Sequence, residues 1–312
     1  MIAMHFEEFG PPDVLRSVAR QVPAPGAAQV RVDLRAVAVL PVDCKIRSGA
    51  LTRFFDIPLP KIPGRDGAGI VGAIGEGVDY VKLGERVCVV ASHAEQGTYQ
   101  QALLHSRDTI VPIPDGMEFA DAAALVHSGV CSVICLTDTA QIKAGMRVLI
   151  HGGSGAIGTL AIQLAKSAGA FVATTCRAVN RDLVTKMGAD LAVAYDQEDF
   201  TRINEPFDVV LDLVGGDVHQ RSYQMLRKGG HLVCLNAAPI TDMSAQYGVT
   251  MTVARIHEAP DILNRVFALA GRGILRPLVA LKLPLDQAAQ AHRLMEEGSV
   301  PPGRIILDIP PL

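Results

Sequence analysis

The sequence lacks tryptophan altogether, and phenylalanine and tyrosine make up only 4% of its 312 residues. Its formal net charge of −3 is small, so no excess of positive charge favours nucleic acid or an anionic membrane surface as a partner. The sequence contains no uninterrupted run of 18 apolar residues, and Glu7 and Glu8 interrupt the N-terminal segment. We therefore expect neither a membrane-spanning helix nor a signal peptide.

Paired cysteines are missing as well. The six cysteines are scattered, and none forms a Cys-x-x-Cys pair, which argues against the usual patterns of zinc ribbons and dithiol redox sites. We expect reduced, mostly buried thiols in a cytoplasmic protein. What the chain does have is a large share of apolar residues, 49% of the total, and a length sufficient for two domains.

The first 115 residues have the pattern of a β-rich domain. Gln29–Leu40 alternates between apolar and polar residues, as a half-buried strand does, and Ile70–Ile74 and Arg86–Val90 are short apolar runs. Closely spaced glycines lie around these runs, which favours a barrel-like or sandwich fold. The cluster from Pro112 to Gly116 marks the end of this region.

From Ala120 the pattern changes to alternating strands and helices, which predicts a parallel sheet covered by helices on both faces. The elements beyond residue 271 are expected to rejoin the first domain. The predicted helices are 120–137, 157–168, 180–187, 217–227, 260–270 and 286–296, and the predicted strands are 147–150, 170–175, 191–194, 207–213, 231–235, 249–253 and 304–309.

One glycine motif carries the functional prediction. An apolar run, Val148–Ile150, leads into Gly153-x-Gly155-x-x-Gly158, and a helical pattern follows, which is the context of a dinucleotide-binding turn. Gly153 is expected to allow the tight turn, Gly155 to let the backbone approach a pyrophosphate, and Gly158 to let the helix pack close to the strand. Free N–H groups at the helix N-terminus favour phosphate. The residues expected to contact the dinucleotide here are Gly153, Ser154, Gly155, Ala156, Ile157 and Gly158.

The end of the next strand distinguishes the two nicotinamide cofactors. A site that prefers NADH usually has Asp or Glu there for the ribose hydroxyls, whereas this chain has Thr175-Cys176-Arg177, with Arg181 nearby. A guanidinium forms charge-assisted hydrogen bonds with a 2′-phosphate, and a carboxylate repels it. We therefore predict NADPH, bound by Thr175, Arg177 and Arg181. The alternative is that both arginines are solvated charges at a helix start.

Further motifs follow one another along almost the whole chain. They are Phe6–Leu15, Pro41–Gly49, Pro63–Gly69, Gly75–Val87, Met187–Asp190, Phe207–Gly216, Gly229–Gly230, Leu285–Leu294 and Gly303–Ile305. In order and spacing they resemble the medium-chain dehydrogenase/reductase superfamily, and within it the zinc-independent, zeta-crystallin-like quinone oxidoreductase branch.

This resemblance implies an α/β fold: a Rossmann domain with a doubly wound parallel sheet, plus a GroES-like β-rich domain, with an active-site cleft between them. The GroES-like domain is expected over 1–118, completed by 272–312, and the NADPH-binding domain over 119–271. The resemblance also implies that Tyr195 lies near the 2′-phosphate; an ordinary tyrosine at a strand edge is the alternative. The remaining residues expected to contact the cofactor are Val214, Asn236 and Arg304.

Zinc-dependent alcohol dehydrogenases of this superfamily hold their catalytic zinc with Cys, His and Cys. By motif position these ligands fall here at Leu40, at Arg65 and near His127. A catalytic zinc needs about three ligands from His, Cys, Asp or Glu, so one candidate in three is too few. The lobe with four closely spaced cysteines is missing too. We expect no metal, and we expect His127 to be a helix-start residue that lines the cofactor cleft.

Without a metal to polarise an unactivated substrate, the predicted acceptor is a quinone or an α,β-unsaturated carbonyl, both of which accept hydride readily. Catalysis then requires positioning and a donor near the developing oxyanion. The resemblance places Asp43 and Lys45 beside the nicotinamide. Lys45 is the candidate that stabilises an enolate, against the alternative of a surface lysine. Asp43 is expected to orient neighbours or to bond backbone groups.

Two other functions stay open at this point. One is an enoyl-thioester reductase of the same superfamily, and the other is an NADPH-binding structural or regulatory protein, because a fold can persist where activity fades. At Leu40 and Lys45 the sequence departs from the family pattern, and these departures leave the structural or regulatory function open. The resemblance also suggests a homodimer formed through the Rossmann domain, where the alternating segment Val249–Val253 is a candidate edge strand.

Overall fold

The computed structural model describes residues 1–54, 56–106, 109–235 and 240–312. The chain forms two compact units. The first consists of Met1–His127, Glu258–Gly271 and Leu278–Leu312, and the second of Ser128–His257 and Arg272–Pro277.

Strands and helices are numbered in chain order. The strands are β1 (Ile2–His5), β2 (Arg16–Ala19), β3 (Gln29–Ala38), β4 (Asp66–Ile74), β5 (Arg86–Val90), β6 (Ala102–Ser106), β7 (Ile110–Pro112), β8 (Arg147–His151), β9 (Phe171–Cys176), β10 (Leu191–Ala194), β11 (Phe207–Asp212), β12 (Leu226–Cys234), β13 (Thr250–Val253), β14 (Val279–Pro284) and β15 (Arg304–Asp308). The helices are α1 (Pro41–Arg47), α2 (Phe119–Val133), α3 (Ala156–Ser167), α4 (Arg181–Lys186), α5 (Asp217–Ser222), α6 (Ser244–Tyr247), α7 (Pro260–Gly271) and α8 (Ala288–Glu296).

The first unit is organised around β3, whose even-numbered side chains are buried as its alternation predicts. Its sheet has the strand order β14-β15-β3-β4-β5-β7, and β6 also pairs with β3. Leu285, Ala288 and Ala291 of the C-terminal segment share one apolar core with side chains of β3, β4 and β5. The C-terminal segment therefore packs with the β-rich unit.

The second unit contains a six-stranded sheet of order β10-β9-β8-β11-β12-β13, in which every neighbouring pair is parallel. This is the strand order of a Rossmann fold, and the order reverses between β8 and β11. Strand β13 lies at one end of the sheet, as predicted for Val249–Val253. The predicted fold class is confirmed. Its geometry places the residues that follow β8, β9 and β11 at the carboxyl edge of the sheet, where such folds bind ligands.

Helix α2 continues into a π-helical turn at Ile134–Thr139. Together these 21 residues, Phe119–Thr139, are long and apolar enough to cross a membrane. In the structure 83% of the apolar window is buried, which is also the behaviour of a core helix, so length and composition alone do not identify a membrane span.

The borders of the units differ from those expected at 118/119 and 271/272. His127 of α2 donates its backbone N–H to Asp66 of β4, and Glu258 pairs with Arg65. Helix α7 packs against β7 of the same unit. These contacts place the first turns of α2 and the whole of α7 with the β-rich unit, while 272–277 belongs to the second. The expected borders followed changes of sequence pattern, which do not register such distant contacts.

Candidate functional site

The glycine motif forms the turn between β8 and α3. Gly152 has a φ of +77°, in the left-handed region, so the tight bend expected at Gly153 lies one residue earlier. A Cβ on Gly153 would lie 1.9 Å from Oγ1 of Thr174, and one on Gly158 would lie 2.2 Å from the carbonyl oxygen of Gly152. Gly153 therefore lets β9 approach the turn, and Gly158 lets the helix pack against the turn.

The N-terminus of α3 has the geometry of a phosphate cradle. Gly155 is its N-cap residue and supplies no side-chain hydrogen bond to the first turn, which begins with Ala156, Ile157 and Gly158. A Cβ on Gly155 would meet a single atom within 4 Å among the described residues, the carbonyl oxygen of Gly152 at 3.3 Å. The uncapped N–H groups and the space at Gly155 therefore fit the pyrophosphate of a dinucleotide.

Thr175 supports the turn from inside the sheet. Its buried Oγ1 lies 3.1 Å from Nδ1 of His151 and accepts the N–H of Gly152, and its carbonyl oxygen accepts the N–H of Gly153. Burial lowers the pKa of His151 to about 4, so its imidazole is neutral here. The hydroxyl of Thr175 therefore helps to fix the turn, and the predicted contact of Thr175 with the cofactor stays a prediction.

Two of the residues predicted to bind the 2′-phosphate do meet. Nε of Arg177 donates to the hydroxyl of Tyr195 over 3.1 Å, and Tyr195 is 53% exposed. Asn180 joins the glycine turn to this group, because its Nδ2 donates to Oγ of Ser154 over 3.2 Å. Sequence reasoning missed Asn180. Its position directly before α4, where Asn is a common N-cap residue, was the available signal.

Two carboxylates of the segment that follows β10 also enter this region. Asp196 accepts the backbone N–H of Ala178, and Glu198 forms an ion pair with Arg181. The end of β9 has no acidic residue, but Asp196 and Glu198 bring negative charge to the same region. Glu198 compensates the charge of Arg181, whereas Arg177 has no ion-pair partner among the described residues.

The loop after β11 presents Val214, whose side chain is 51% exposed. The fully buried Asp212 fixes this loop: its Oδ1 accepts the N–H groups of Val214 and Gly215 over 2.9 and 2.8 Å. Its Oδ2 lies 2.9 Å from Nδ1 of His219, whose Nε2 lies 3.3 Å from the hydroxyl of Tyr223. Val214 is therefore held at the carboxyl edge of the sheet. Asn236, also predicted to bind the cofactor, lies outside the described residues.

The predicted catalytic pair in the first unit separates into a buried and an exposed residue. Asp43 is fully buried; its Oδ2 accepts the N–H of Leu40 over 2.8 Å and lies 3.4 Å from the hydroxyl of Tyr99. Burial raises the pKa of Asp43 to about 7. Asp43 is therefore fixed at the start of α1 by its contacts with Leu40 and Tyr99, and its orienting role stays a prediction. Lys45 is exposed on the same helix.

Arg304, another predicted cofactor ligand, lies in β15 and is 95% buried in the first unit, since its relative exposure is 5%. Its charge acts to lower the pKa of both Asp43 and Tyr99, against the burial that raises them. The contact of Arg304 with the cofactor stays a prediction, and this residue presents little surface in the structure.

At the positions that match zinc ligands, the structure has an ion-pair cluster. Nη2 of Arg65 donates to Oε2 of Glu258 over 3.0 Å, and Oε1 of Glu258 lies 3.5 Å from Nδ1 of His127. Burial acts to raise the pKa of Glu258, but the neighbouring His127 and Arg65 outweigh it and hold the pKa at about 2. Glu258 was missed, because it is 193 residues from Arg65 in sequence and has no motif around it.

These residues do not fit a zinc ion. Leu40 offers no ligand atom, and the guanidinium of Arg65 brings a positive charge to the position of the second ligand. Among the described ranges, no three His, Cys, Asp or Glu side chains form a group that could hold a metal. His127 lies well inside α2 and not at the helix start, and its N–H is donated to Asp66.

A cavity of about 620 Å³ lies in the first unit beside this cluster. This volume is within the range of small-molecule sites. Phe54, Val90 and Ala91 contribute apolar walls, and Arg65, His93 and Glu258 contribute polar ones. Burial and the charge of Arg65 lower the pKa of His93 to about 4, so the imidazole in this wall is neutral.

The comparisons with known proteins agree with this architecture. A family model described as "Alcohol dehydrogenase GroES-like domain" matches residues 26–115, and one described as "Zinc-binding dehydrogenase" matches residues 187–307. The quinone oxidoreductase of Sus scrofa is 30% identical over 324 residues, which cover 98% of this chain and 97% of the relative.

Two solved structures extend the likeness to three dimensions. The quinone oxidoreductase of Coxiella burnetii is 30% identical with a TM-score of 0.87, and 99% of each chain is covered. The Escherichia coli quinone oxidoreductase, in a structure described as complexed with NADPH, is 27% identical with a TM-score of 0.89, and 99% of this chain and 100% of that chain are covered. The chain therefore belongs to the medium-chain dehydrogenase/reductase superfamily, in its quinone oxidoreductase branch, and is an oxidoreductase by family.

Proposed function

We propose that this protein is an NADPH-dependent, zinc-free reductase of quinones or α,β-unsaturated carbonyls that acts in the cytoplasm. Membership of the quinone oxidoreductase branch supports the reaction class. The NADPH complex of the Escherichia coli relative supports the cofactor, and the six free, buried cysteines suit a reducing compartment.

The observation that carries the choice of NADPH is the group formed by Arg177 and Tyr195. Arg177 has no carboxylate partner among the described residues, so its charge is available to a 2′-phosphate, and the hydroxyl of Tyr195 orients its guanidinium. Asn180 and Ser154 connect this group to the glycine turn. Arg181 contributes less in this proposal, because Glu198 already pairs with it.

When bound, the nicotinamide supplies a hydride; the chain supplies binding and orientation. The first-turn N–H groups of α3 bind the pyrophosphate, and Gly155 leaves the space for it. Asp212 holds Val214 against rearrangement, so the loop offers a fixed apolar surface to the cofactor. Catalysis is largely positioning, together with stabilisation of the negative charge that develops on the acceptor oxygen.

The cofactor choice is tested by kcat/KM with NADPH and with NADH, using benzoquinone as acceptor. Wild type should prefer NADPH. Arg177→Ala should lose about tenfold to a hundredfold in kcat/KM for NADPH and little for NADH, because a hydrogen bond to a charged group is worth about 1.5–3 kcal/mol. Arg181→Ala is the matched control and should lose less. A wild-type preference for NADH contradicts the proposal.

The same assay separates the other functions. Turnover of an alkenal or benzoquinone, but not of crotonyl-CoA, supports the proposal, whereas selective turnover of crotonyl-CoA favours an enoyl-thioester reductase. Cofactor binding without turnover of any of the three favours a structural or regulatory protein.

We further propose a homodimer through β13. This strand is at the end of its sheet and has exposed residues, among them Thr250 and Val253, so its outer edge can pair with a second copy. A monomeric mass in solution would contradict the dimer.

A further inference from the structure

A chain of side-chain hydrogen bonds connects helix α5 to the glycine turn of the second unit. The hydroxyl of Ser222 donates to the carbonyl oxygen of Val218 over 2.6 Å and lies 3.0 Å from Nε2 of His151. Nδ1 of His151 lies 3.1 Å from Oγ1 of Thr175, which accepts the backbone N–H of Gly152 over 3.3 Å. The three side chains are buried, so solvent does not compete for these bonds.

The two ends of this chain fix the direction of every bond in it. A serine hydroxyl has one proton, and Ser222 donates it to Val218, so Nε2–H of His151 is the donor to Ser222. Burial keeps His151 neutral, so its Nδ1 has no proton and accepts from the hydroxyl of Thr175. Oγ1 of Thr175 then accepts from Gly152. Each bond of the chain therefore has one assigned donor.

The imidazole of His151 is held by packing as well as by these bonds. The ring of Phe200 meets it edge-on, with the ring centroids 4.6 Å apart and an angle of 68° between the planes. With both nitrogens bonded and one edge packed, the ring has little freedom to rotate. A displacement of Ser222 on α5 therefore changes the contact between His151 and Thr175.

Gly152 is the residue through which the chain acts on the turn. Its N–H is bound by Thr175, and its carbonyl oxygen accepts the N–H of Gly155, the N-cap of α3, over 3.0 Å. Glycine adopts many backbone conformations, so the bond from Thr175 helps to select the observed φ of +77°. The first-turn N–H groups of α3 can bind one phosphate group only if this turn holds the helix start in place.

We infer that Ser222 and His151 are positioning residues of the glycine turn: through Thr175 they hold Gly152, and with it the start of α3, in the orientation that receives a pyrophosphate. This inference rests on the proposed function and extends it, because both side chains are fully buried and yet should affect cofactor affinity. All the contacts that carry it lie within the second unit.

The first test measures the Kd of NADPH by fluorescence titration. Ser222→Ala removes the acceptor of Nε2–H of His151 and should raise the Kd about threefold to tenfold, which corresponds to the loss of one ordinary hydrogen bond. With benzoquinone as acceptor, KM for NADPH should rise by a similar factor, whereas kcat should stay within about twofold of wild type. A loss of stability alone would change neither the Kd nor KM of the folded protein.

Ser167→Ala is the matched control. The hydroxyl of Ser167 also donates to a carbonyl oxygen of its own helix, that of Leu164 over 2.7 Å, but it lies at the other end of α3 from the glycine turn. This variant should keep the Kd of wild type.

A double-variant cycle tests whether the residues act as one chain. Thr175→Val removes the hydroxyl at nearly constant size and should raise the Kd, whereas Thr175→Ser retains the hydroxyl and should keep the Kd of wild type. The double variant Ser222→Ala/Thr175→Val should bind NADPH no more weakly than Thr175→Val, because the chain is already broken. If the two losses multiply, Ser222 does not act through Thr175 and the inference is overturned.

Hydrogen exchange of the cofactor-free protein separates this inference from the proposed function. The backbone amides of Gly152 and Gly153 should exchange at least about threefold faster in Ser222→Ala than in wild type or Ser167→Ala. Faster exchange in a protein whose wild type binds neither NADPH nor NADH supports the inference and contradicts the proposed function. Unchanged exchange, or faster exchange with an unchanged Kd, overturns the inference. Should Ser222→Ala fail to fold in a circular dichroism melt, His151→Phe, which keeps an aromatic ring and removes both nitrogens, decides on the same two measurements.

Discussion

Each unit of the molecule contains an aspartate with a relative exposure of 0%, Asp43 in the first and Asp212 in the second, and the two have opposite environments. In the second unit, Asp212 has partners at both oxygens: the N–H groups of Val214 and Gly215, and Nδ1 of His219. In the first unit, Asp43 has partners only at Oδ2, and its buried Oδ1 has no hydrogen bond within the described residues. The two carboxyl groups are thus equally buried, but Asp212 has hydrogen-bond partners at both oxygens and Asp43 at only one.

The difference teaches what each carboxyl does. A carboxylate with three fixed donors holds the backbone of a loop, so Asp212 determines where Val214 lies. A carboxyl with an unpartnered oxygen is stabilised by a proton, and burial accordingly raises the pKa of Asp43 to about 7. Asp212 therefore serves the candidate cofactor site, whereas Asp43 makes the stability of its own unit dependent on pH.

Removing Asp212 should have the largest effect. Asp212→Ala leaves two backbone N–H groups and a buried imidazole without their acceptor, which should cost about 3–5 kcal/mol in the free energy of unfolding. KM for NADPH should rise as Val214 loses its anchor. Urea unfolding and steady-state kinetics measure the two effects.

Asp212→Asn is the matched control for that substitution. Its amide oxygen can still accept from Val214 and Gly215, so KM should change less than in Asp212→Ala, although the contact with His219 is weakened. If both variants keep the stability and KM of wild type, Asp212 does not hold the loop and the contrast with Asp43 has no basis.

Asp43→Asn should have a smaller effect of the opposite sign. Because the folded-state pKa is raised from 3.8 to about 7, the native protein binds more protons than the unfolded chain in this interval, so wild-type stability falls as pH rises from about 4 to 7. Asn can still accept the N–H of Leu40 and is never ionised. At pH 8 the variant should be roughly 1–3 kcal/mol more stable than wild type.

The pH profile of unfolding distinguishes this explanation from a simple packing gain. The stability difference between Asp43→Asn and wild type should grow between pH 4 and pH 7 and stay constant above it. A difference that does not depend on pH would show that Asp43 has an ordinary pKa, and the comparison of the two aspartates would then rest on geometry alone.

The sequence predicted those parts of the fold that depend on local pattern. The alternation of Gln29–Leu40, the glycine turn before α3 and the edge position of β13 all follow from residues close to one another in the chain. What the sequence could not supply were contacts between distant residues. Neither the pairing of Glu258 with Arg65 nor the approach of Glu198 to Arg181 has a local signal.

Burial was the second quantity that the sequence did not reveal. Arg304 and Thr175 are polar residues in plausible motif positions, and their type alone favours exposure. The structure buries both: Arg304 lies in β15, and the hydroxyl of Thr175 accepts a hydrogen bond within the turn. A motif therefore predicts a region of the chain for the candidate site but does not determine whether each side chain in it is buried.

Asp190 is a third carboxylate that can be compared with Asp212 and Asp43. Its oxygens accept hydrogen bonds from Nζ of Lys166 and from the N–H of Val172, so it is satisfied like Asp212, but its side chain is 33% exposed. Partial burial acts to raise its pKa, and these hydrogen bonds lower it by more.

Lys166→Met should therefore have the smallest effect, about 0.5 kcal/mol in the free energy of unfolding, because solvent already stabilises both charges of an exposed pair. Added salt should reduce the difference further. Urea unfolding at low and high salt measures it. A loss comparable to that of Asp212→Ala would mean that the number of hydrogen bonds, and not burial, sets the value of a satisfied carboxylate in this protein.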